Sequence, residues 1–211
     1  LILSITTNEM NSFGIRAMDK NDIDQVVRIH LESFEGFFLT FLGSSFLSTL
    51  YSFLVAEEQS ISFVACSTQD DRIVGFVVGT LEPSSFYRRA IRSRVLTFAL
   101  SAIPALLKDP RILGRLVRAF TKPKEMDAIQ ADCELMSIAV LHDYTSKGIG
   151  RKLEAAFTNE ARRHNAHSIT LTTDKLNNDV VNRFYESCGY VVYDSFVTPE
   201  GREMNRYMKK I

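Results

Sequence analysis

An eight-residue run of strand-like alternation, Cys133-Glu-Leu-Met-Ser-Ile-Ala-Val140, is followed by Gly148-Ile-Gly150 and then by apolar residues at helical spacing. Ile149, Leu153, Ala156, Phe157 and Ala161 recur every three or four positions, so the spacing predicts a helix over Gly148 to Asn165. A strand that feeds a helix through a glycine turn commits the chain to an α/β sheet. The turn also carries chemistry. The first N–H groups of a helix have no internal partner, and the helix dipole adds partial positive charge there. Glycines let an anion approach the backbone, and Lys147 and Arg151 add formal charge. A phosphate-bearing ligand suits such a turn, although glycine there also serves geometry alone. Lys-Gly-Ile-Gly lacks the spacing of a P-loop, and a dinucleotide fingerprint would need glycine where Leu153 stands.

The remaining elements extend the same pattern. Ile15 to Met18 reads as a strand, Asp19 to Phe34 as a helix and Phe37 to Val55 as a second helix interrupted at Gly43-Ser44-Ser45. Ser62 to Cys66 and Arg72 to Leu81 form a hairpin about Gln69-Asp70-Asp71. Ser168 to Thr173 is a strand, and Asp179 to Cys188 a short helix stopped by Gly189. Tyr190 to Val197 and Met204 to Met208 close the chain as a hairpin about Pro199-Glu200-Gly201. The fold class expected is α/β, with a mixed, mostly antiparallel central sheet flanked by helices. The 211 residues are read as one domain over 1–211.

The 25 basic and 25 acidic residues cancel, so the whole chain has no charge bias toward nucleic acid or an acidic surface. That balance hides a segregation. Ser84 to Lys124 holds ten basic residues against one acid, Asp109, a net of +9, and the rest of the chain carries the opposite charge. The segment reads as a helical insertion with a break at Asp109-Pro110. Its second helix sets Ile112, Leu113, Leu116, Val117 and Phe120 against Arg111, Arg115 and Arg118. Three readings stand: a solvated cover on the sheet, recognition of an anionic acceptor, or peripheral contact with anionic lipid. Nucleic acid is not expected, because aromatics that stack on bases are sparse in the segment.

Cys66, Cys133 and Cys188 lie far apart, without a C-x-x-C pair, and read as reduced residues in a cytoplasmic protein. His30, His142, His164 and His167 show no metal spacing, and no metal is expected. Leu1 to Gly14 has no basic run followed by a long apolar stretch, so no signal peptide is expected. Val95 to Leu107 is read as the most apolar stretch; it is short of a membrane span and interrupted by Pro104.

A second motif follows the turn: Asn178, then Phe184-Tyr185-Glu186, then Gly189-Tyr190. With Val140, Gly148 and Gly150 before it, this sequence resembles the GCN5-related N-acetyltransferase (GNAT) superfamily. In that family a strand and a glycine turn bind coenzyme A, and a later helix carries N-x₆-Y-x₃-G-F/Y. The resemblance covers Ile15 to the C-terminus apart from the basic insertion, which stands between the third and fourth strands. Thr145 departs from it, occupying the family's Arg or Gln position.

The resemblance implies acetyl-CoA as co-substrate. It implies that Ile138, Ala139 and Val140 meet the pantetheine arm and that Ser146, Lys147, Gly148, Ile149, Gly150 and Arg151 hold the pyrophosphate. Asn178 and Tyr185 would also contact the coenzyme, and Tyr185 would protonate the leaving thiolate; packing beside Phe184 is its other reading. Glu134 stands where related enzymes carry a general base. On a regularly alternating strand it shares a face with Met136, Ile138 and Val140, whose apolar surroundings would raise its pKa. Its other reading is a solvated or ion-paired strand-end residue, with water, Asp132 or Asp174 as base. The expected function is transfer of an acetyl group from acetyl-CoA to a primary amine, on a small molecule or peptide, by direct attack in a ternary complex. The alternative is a non-catalytic acyl-CoA-binding module whose basic insertion binds a partner or a membrane surface. A monomer or a homodimer is expected.

Overall fold

The structure is a computed structural model that describes residues 13–110, Gly114 and residues 131–211. The second basic helix expected around Arg111, Arg115 and Arg118 lies outside the described residues.

Seven strands form one sheet: β1 (Phe13–Ala17), β2 (Ser60–Ser67), β3 (Ile73–Thr80), β4 (Cys133–Val140), β5 (Ser168–Asp174), β6 (Val191–Val197) and β7 (Glu203–Lys210). Their spatial order is β1-β2-β3-β4-β5-β7-β6. Every neighbouring pair is antiparallel except β4 with β5, which is parallel. Helices α1 (Ile23–Ser33), α2 (Phe38–Ala56) and α3 (Pro83–Lys108) share one core cluster, in which Val27, Phe46 and Phe98 meet Phe76 and Val78 of β3. Helices α4 (Ile149–Arg163) and α5 (Asp179–Ser187) belong to the other, in which Leu153, Phe157 and Tyr185 meet Val77, Leu171 and Tyr207.

Local chemistry explains the helix boundaries. A single 3-10 turn, Lys20–Asp22, precedes α1. The Asp19 carboxylate accepts the Asn21 N–H, and the Asp22 carboxylate accepts the Asp19 N–H. This reciprocal cap satisfies donors that a helix start leaves open. Gly43, at φ 81°, breaks α2 where the sequence places the interruption. Helix α3 breaks at Arg94, and it continues through Pro104, which faces solvent. A proline removes a hydrogen bond from the helix ladder, and on an exposed face water can solvate the freed carbonyl. Among the described residues, α2 is long and apolar enough to cross a membrane, with a mean hydropathy of 1.6.

The detail that positions the site is a β-bulge. Val78 pairs with Ser137 and Gly79 with Leu135, so Met136 is an extra residue in β4. A bulge shifts the side-chain alternation by one position. Glu134, opposite Thr80, therefore lies on the α1–α3 face with Val78 and Ala139, whereas Leu135, Ile138 and Val140 lie on the α4 face. This corrects the expectation that Glu134 shares a face with Ile138 and Val140. Period-two counting fails across an inserted residue.

Candidate active site

β4 and β5 pair only at Cys133 with Ile169 and Glu134 with Thr170. Beyond Glu134 the two strands part, and β4 from Leu135 onward has no ladder partner on its β5 side. The fork opens into a cleft of about 440 Å³. Ile138, Ala139 and Val140 line its β4 wall, with Ser146, Gly148, Ile149, Gly150 and Arg151 at the start of α4. Tyr185, with Val180, Val181 and Phe184, forms the α5 wall.

The turn into α4 is built for close approach. Ser146 (φ 61°) and Gly148 (φ 77°) both adopt left-handed backbone, and nothing stands within 4 Å of where a Gly148 side chain would begin. No side chain caps α4, and its first helical bond is Lys152 N–H to the Gly148 carbonyl at 3.1 Å. The N–H groups of Ile149, Gly150 and Arg151 thus precede the first bond of the ladder, and each of these residues lines the cleft. Uncapped donors at the positive end of a helix dipole suit a pyrophosphate.

Tyr185 is almost fully buried, and burial raises its phenol pKa well above the ordinary value. The hydroxyl therefore stays protonated through the working pH range and is available as a donor. Glu134 stands at the crotch of the fork, the last β4 residue paired to β5. Burial pushes its carboxyl pKa up to about 7, while the nearby Arg206 guanidinium pulls it the other way. A carboxyl poised near neutrality can both take up and release a proton.

Three sequence-derived residues do not line the cleft. Glu134 stands at the last β4–β5 pair, on the sheet face opposite to Ile138 and Val140. Lys147 extends over the Tyr144 ring, with Nζ 5.0 Å from the centroid. Asn178 precedes α5, and its amide donates to Thr173 Oγ1 and to the Asp174 carbonyl, each at 2.9 Å, tying α5 to β5. Thr145 does line the cleft, and its hydroxyl donates to the His142 carbonyl at 2.8 Å. Arg151 is held by α5, donating to the Ser187 carbonyl and hydroxyl. Tyr144, Val180, Val181 and Phe184 also line the cleft, and the sequence reading did not name them as candidates. Val180, Val181 and Phe184 precede Tyr185 on the same short helix by five, four and one residues, and that proximity was the available signal.

The other base candidates are engaged elsewhere. Asp132 accepts the His167 N–H at 2.7 Å, and Asp174 pairs with Arg202 at 2.6 Å. His30 is buried with Nδ1 2.7 Å from the Tyr51 hydroxyl, and burial lowers its pKa to about 4. Among the described residues, no group of three or more His, Cys, Asp or Glu side chains is placed to hold a metal ion.

The sequence matches the Acetyltransferase (GNAT) family over residues 23–190. The chain belongs to that family. Acetyl-CoA is the co-substrate of this acetyltransferase, and the uncapped α4 start and the free β4 edge fit it. No curated protein matches the acetyltransferase. Its fold is similar to that of Ard1 from Thermoplasma volcanium, with TM-score 0.61, 18% identity, and coverage of 95% of this chain and 98% of the other. It is also similar to the ribosomal-protein-S18-alanine N-acetyltransferase from Escherichia coli (TM-score 0.58, 14% identity, 94% of each chain). A third likeness is PaiA N-acetyltransferase from Thermoplasma acidophilum, in complex with coenzyme A (TM-score 0.56, 15% identity, 95% and 99%). At these identities the likeness is one of fold.

Proposed function

We propose that this acetyltransferase moves the acetyl group to a primary amine by direct attack in a ternary complex, with Glu134 as general base and Tyr185 as general acid. One observation carries the reading: the fork between β4 and β5 has a buried, near-neutral carboxyl at its closed end and a buried phenol in its wall. The α4 N–H groups hold the pyrophosphate, and the free β4 edge aligns the pantetheine arm as an added strand would. Bound acetyl-CoA supplies an activated thioester. The Glu134 carboxylate takes, directly or through water, the proton that an ammonium must lose before its nitrogen can attack. The Tyr185 hydroxyl gives a proton to the departing thiolate.

Cysteine chemistry supports the direct route. Burial raises the thiol pKa of all three cysteines, that of Cys133 to about 12. A thiol held protonated is a poor nucleophile, which disfavours an acyl-cysteine intermediate. Similar folds include proteins named for a ribosomal-protein alanine and for spermidine, which supports an amine acceptor.

The test is release of free thiol from acetyl-CoA on addition of pooled small amines and peptides with free N-termini. Amine-dependent release is expected. Tight coenzyme binding without release from any pool would instead support the non-catalytic acyl-CoA-binding module.

A further inference from the structure

After its break at Arg94, α3 buries Phe98, Ala102 and Ala105 against the core and turns the opposite side to solvent. Leu96, Leu100, Ile103 and Leu107 fall at four-, three- and four-residue steps on that side, and all are exposed. Leu96 is 76% exposed and Leu107 81%, an unusual cost for a continuous stripe of large aliphatic side chains. Beside the stripe stand Arg92, Arg94 and Lys108, none of which makes an ion pair among the described residues. Arg89 is different: it is paired with Glu57 and Glu82. No acidic residue occurs between Pro83 and Lys108.

We propose that this face of α3 seats the acetyltransferase on an anionic lipid surface, with Leu96, Leu100, Ile103 and Leu107 entering the acyl boundary and Arg92, Arg94 and Lys108 meeting the headgroups. Charge complementarity selects this occupant. A second copy laid on the same face would bring its own uncompensated cations against these. A bilayer with anionic lipid supplies apolar depth and negative charge in one plane. The helix from Val95 to Lys108 is about 21 Å long, so the stripe lies flat in the interface rather than spanning it. The segregation of +9 into Ser84 to Lys124 adds attraction over a longer range. This inference does not depend on the roles proposed for Glu134 or Tyr185.

The experiment is co-sedimentation of the full chain with phosphatidylcholine vesicles, with and without phosphatidylserine, alongside sedimentation velocity without lipid. Binding to the phosphatidylserine vesicles is expected, weakened by salt and much lower on phosphatidylcholine alone. Arg92→Gln with Arg94→Gln and Lys108→Gln should lower the partition coefficient on the order of 100-fold. Leu96→Ser with Leu100→Ser and Leu107→Ser should abolish binding while leaving acetyl-CoA affinity unchanged, which also reports that the variant is folded. Failure of the wild-type chain to bind either vesicle overturns the proposal, as does binding that the leucine variant retains. A dimer in the absence of lipid that the leucine variant dissociates would also overturn it, by showing that a second copy covers the face.

Discussion

Gly79 is backed against Glu134 so closely that a β-carbon on Gly79 would collide with the Glu134 carbonyl oxygen and, on its other side, with the Phe157 ring. The collision falls where Gly79 pairs with Leu135, at the bulge that turns Glu134 onto the α1–α3 face. Neither obstacle is a flexible side-chain end, since one is backbone and the other a fully buried ring. Gly79→Ala is expected to destabilise the protein by about 1–3 kcal/mol, the usual cost of overpacking. Coenzyme affinity should fall less than turnover, because the displaced group is Glu134. Denaturant unfolding with steady-state kinetics measures both.

The Glu134 carboxyl has a pH signature in stability as well as rate. Its pKa is raised from 4.5 to about 7 on folding. The folded state therefore binds the proton more tightly than the unfolded chain. Stability is fully present below the unfolded pKa and is lost as pH rises through about 7. The loss is on the order of 3 kcal/mol for a shift of this size. Glu134→Gln should flatten that part of the stability–pH curve. It should also remove an inflection near neutrality in kcat/KM, above which the wild-type rate levels off. An inflection that survives in the variant would assign the proton to another group.

Tyr185→Phe should lower kcat on the order of 100-fold or more, with acetyl-CoA affinity little changed, because general acid catalysis typically contributes 10²–10⁴. The ring packs against Tyr190 and Tyr207, and phenylalanine preserves that contact. Normal turnover in a variant whose chemical step is rate-limiting would remove the acid role.

At the turn into α4, Gly148→Val places a β-branched side chain at φ 77°, where such residues are strained, although the space around the site is open. Its side chain would also obstruct approach to the α4 N–H groups. Calorimetry should show coenzyme A binding weakened at least tenfold, about 1.4 kcal/mol. Wild-type affinity in a folded variant would move the pyrophosphate away from the turn.

A largely buried ion pair ties β7 to α4: Lys209 Nζ lies 2.8 Å from Glu154 Oε1, which also accepts the Thr158 hydroxyl at 2.7 Å. The Glu154 side chain is buried and that of Lys209 is 14% exposed. Lys209→Met leaves the Glu154 carboxylate uncompensated and should cost about 3–5 kcal/mol. Adding Glu154→Leu should recover most of that loss, since an apolar pair of similar volume often equals a buried ion pair. Thermal unfolding of the single and double variants tests the cycle.

The order of elements was legible in the amino-acid sequence because each depends on local chemistry. Apolar spacing marked α4, Gly43 marked the break in α2, and Gly189 marked the end of α5. The glycine turn into α4 was legible for the same reason, since its glycines and its helix start are adjacent in the chain. Pairing was not legible. The parting of β4 from β5 after Glu134 arises from contacts between segments more than thirty residues apart. The Met136 bulge is visible only when β4 is laid beside β3, and it reversed the face assigned to Glu134. Asn178 followed the motif spacing, and only the structure shows its amide nitrogen donating to Thr173 and Asp174 of β5. The sequence by itself determined which residue types stand on the strand, the turn and the helices from which the cleft is built. Tertiary structure alone decided which face each one occupies, because strand register and burial are properties of paired segments rather than of either segment.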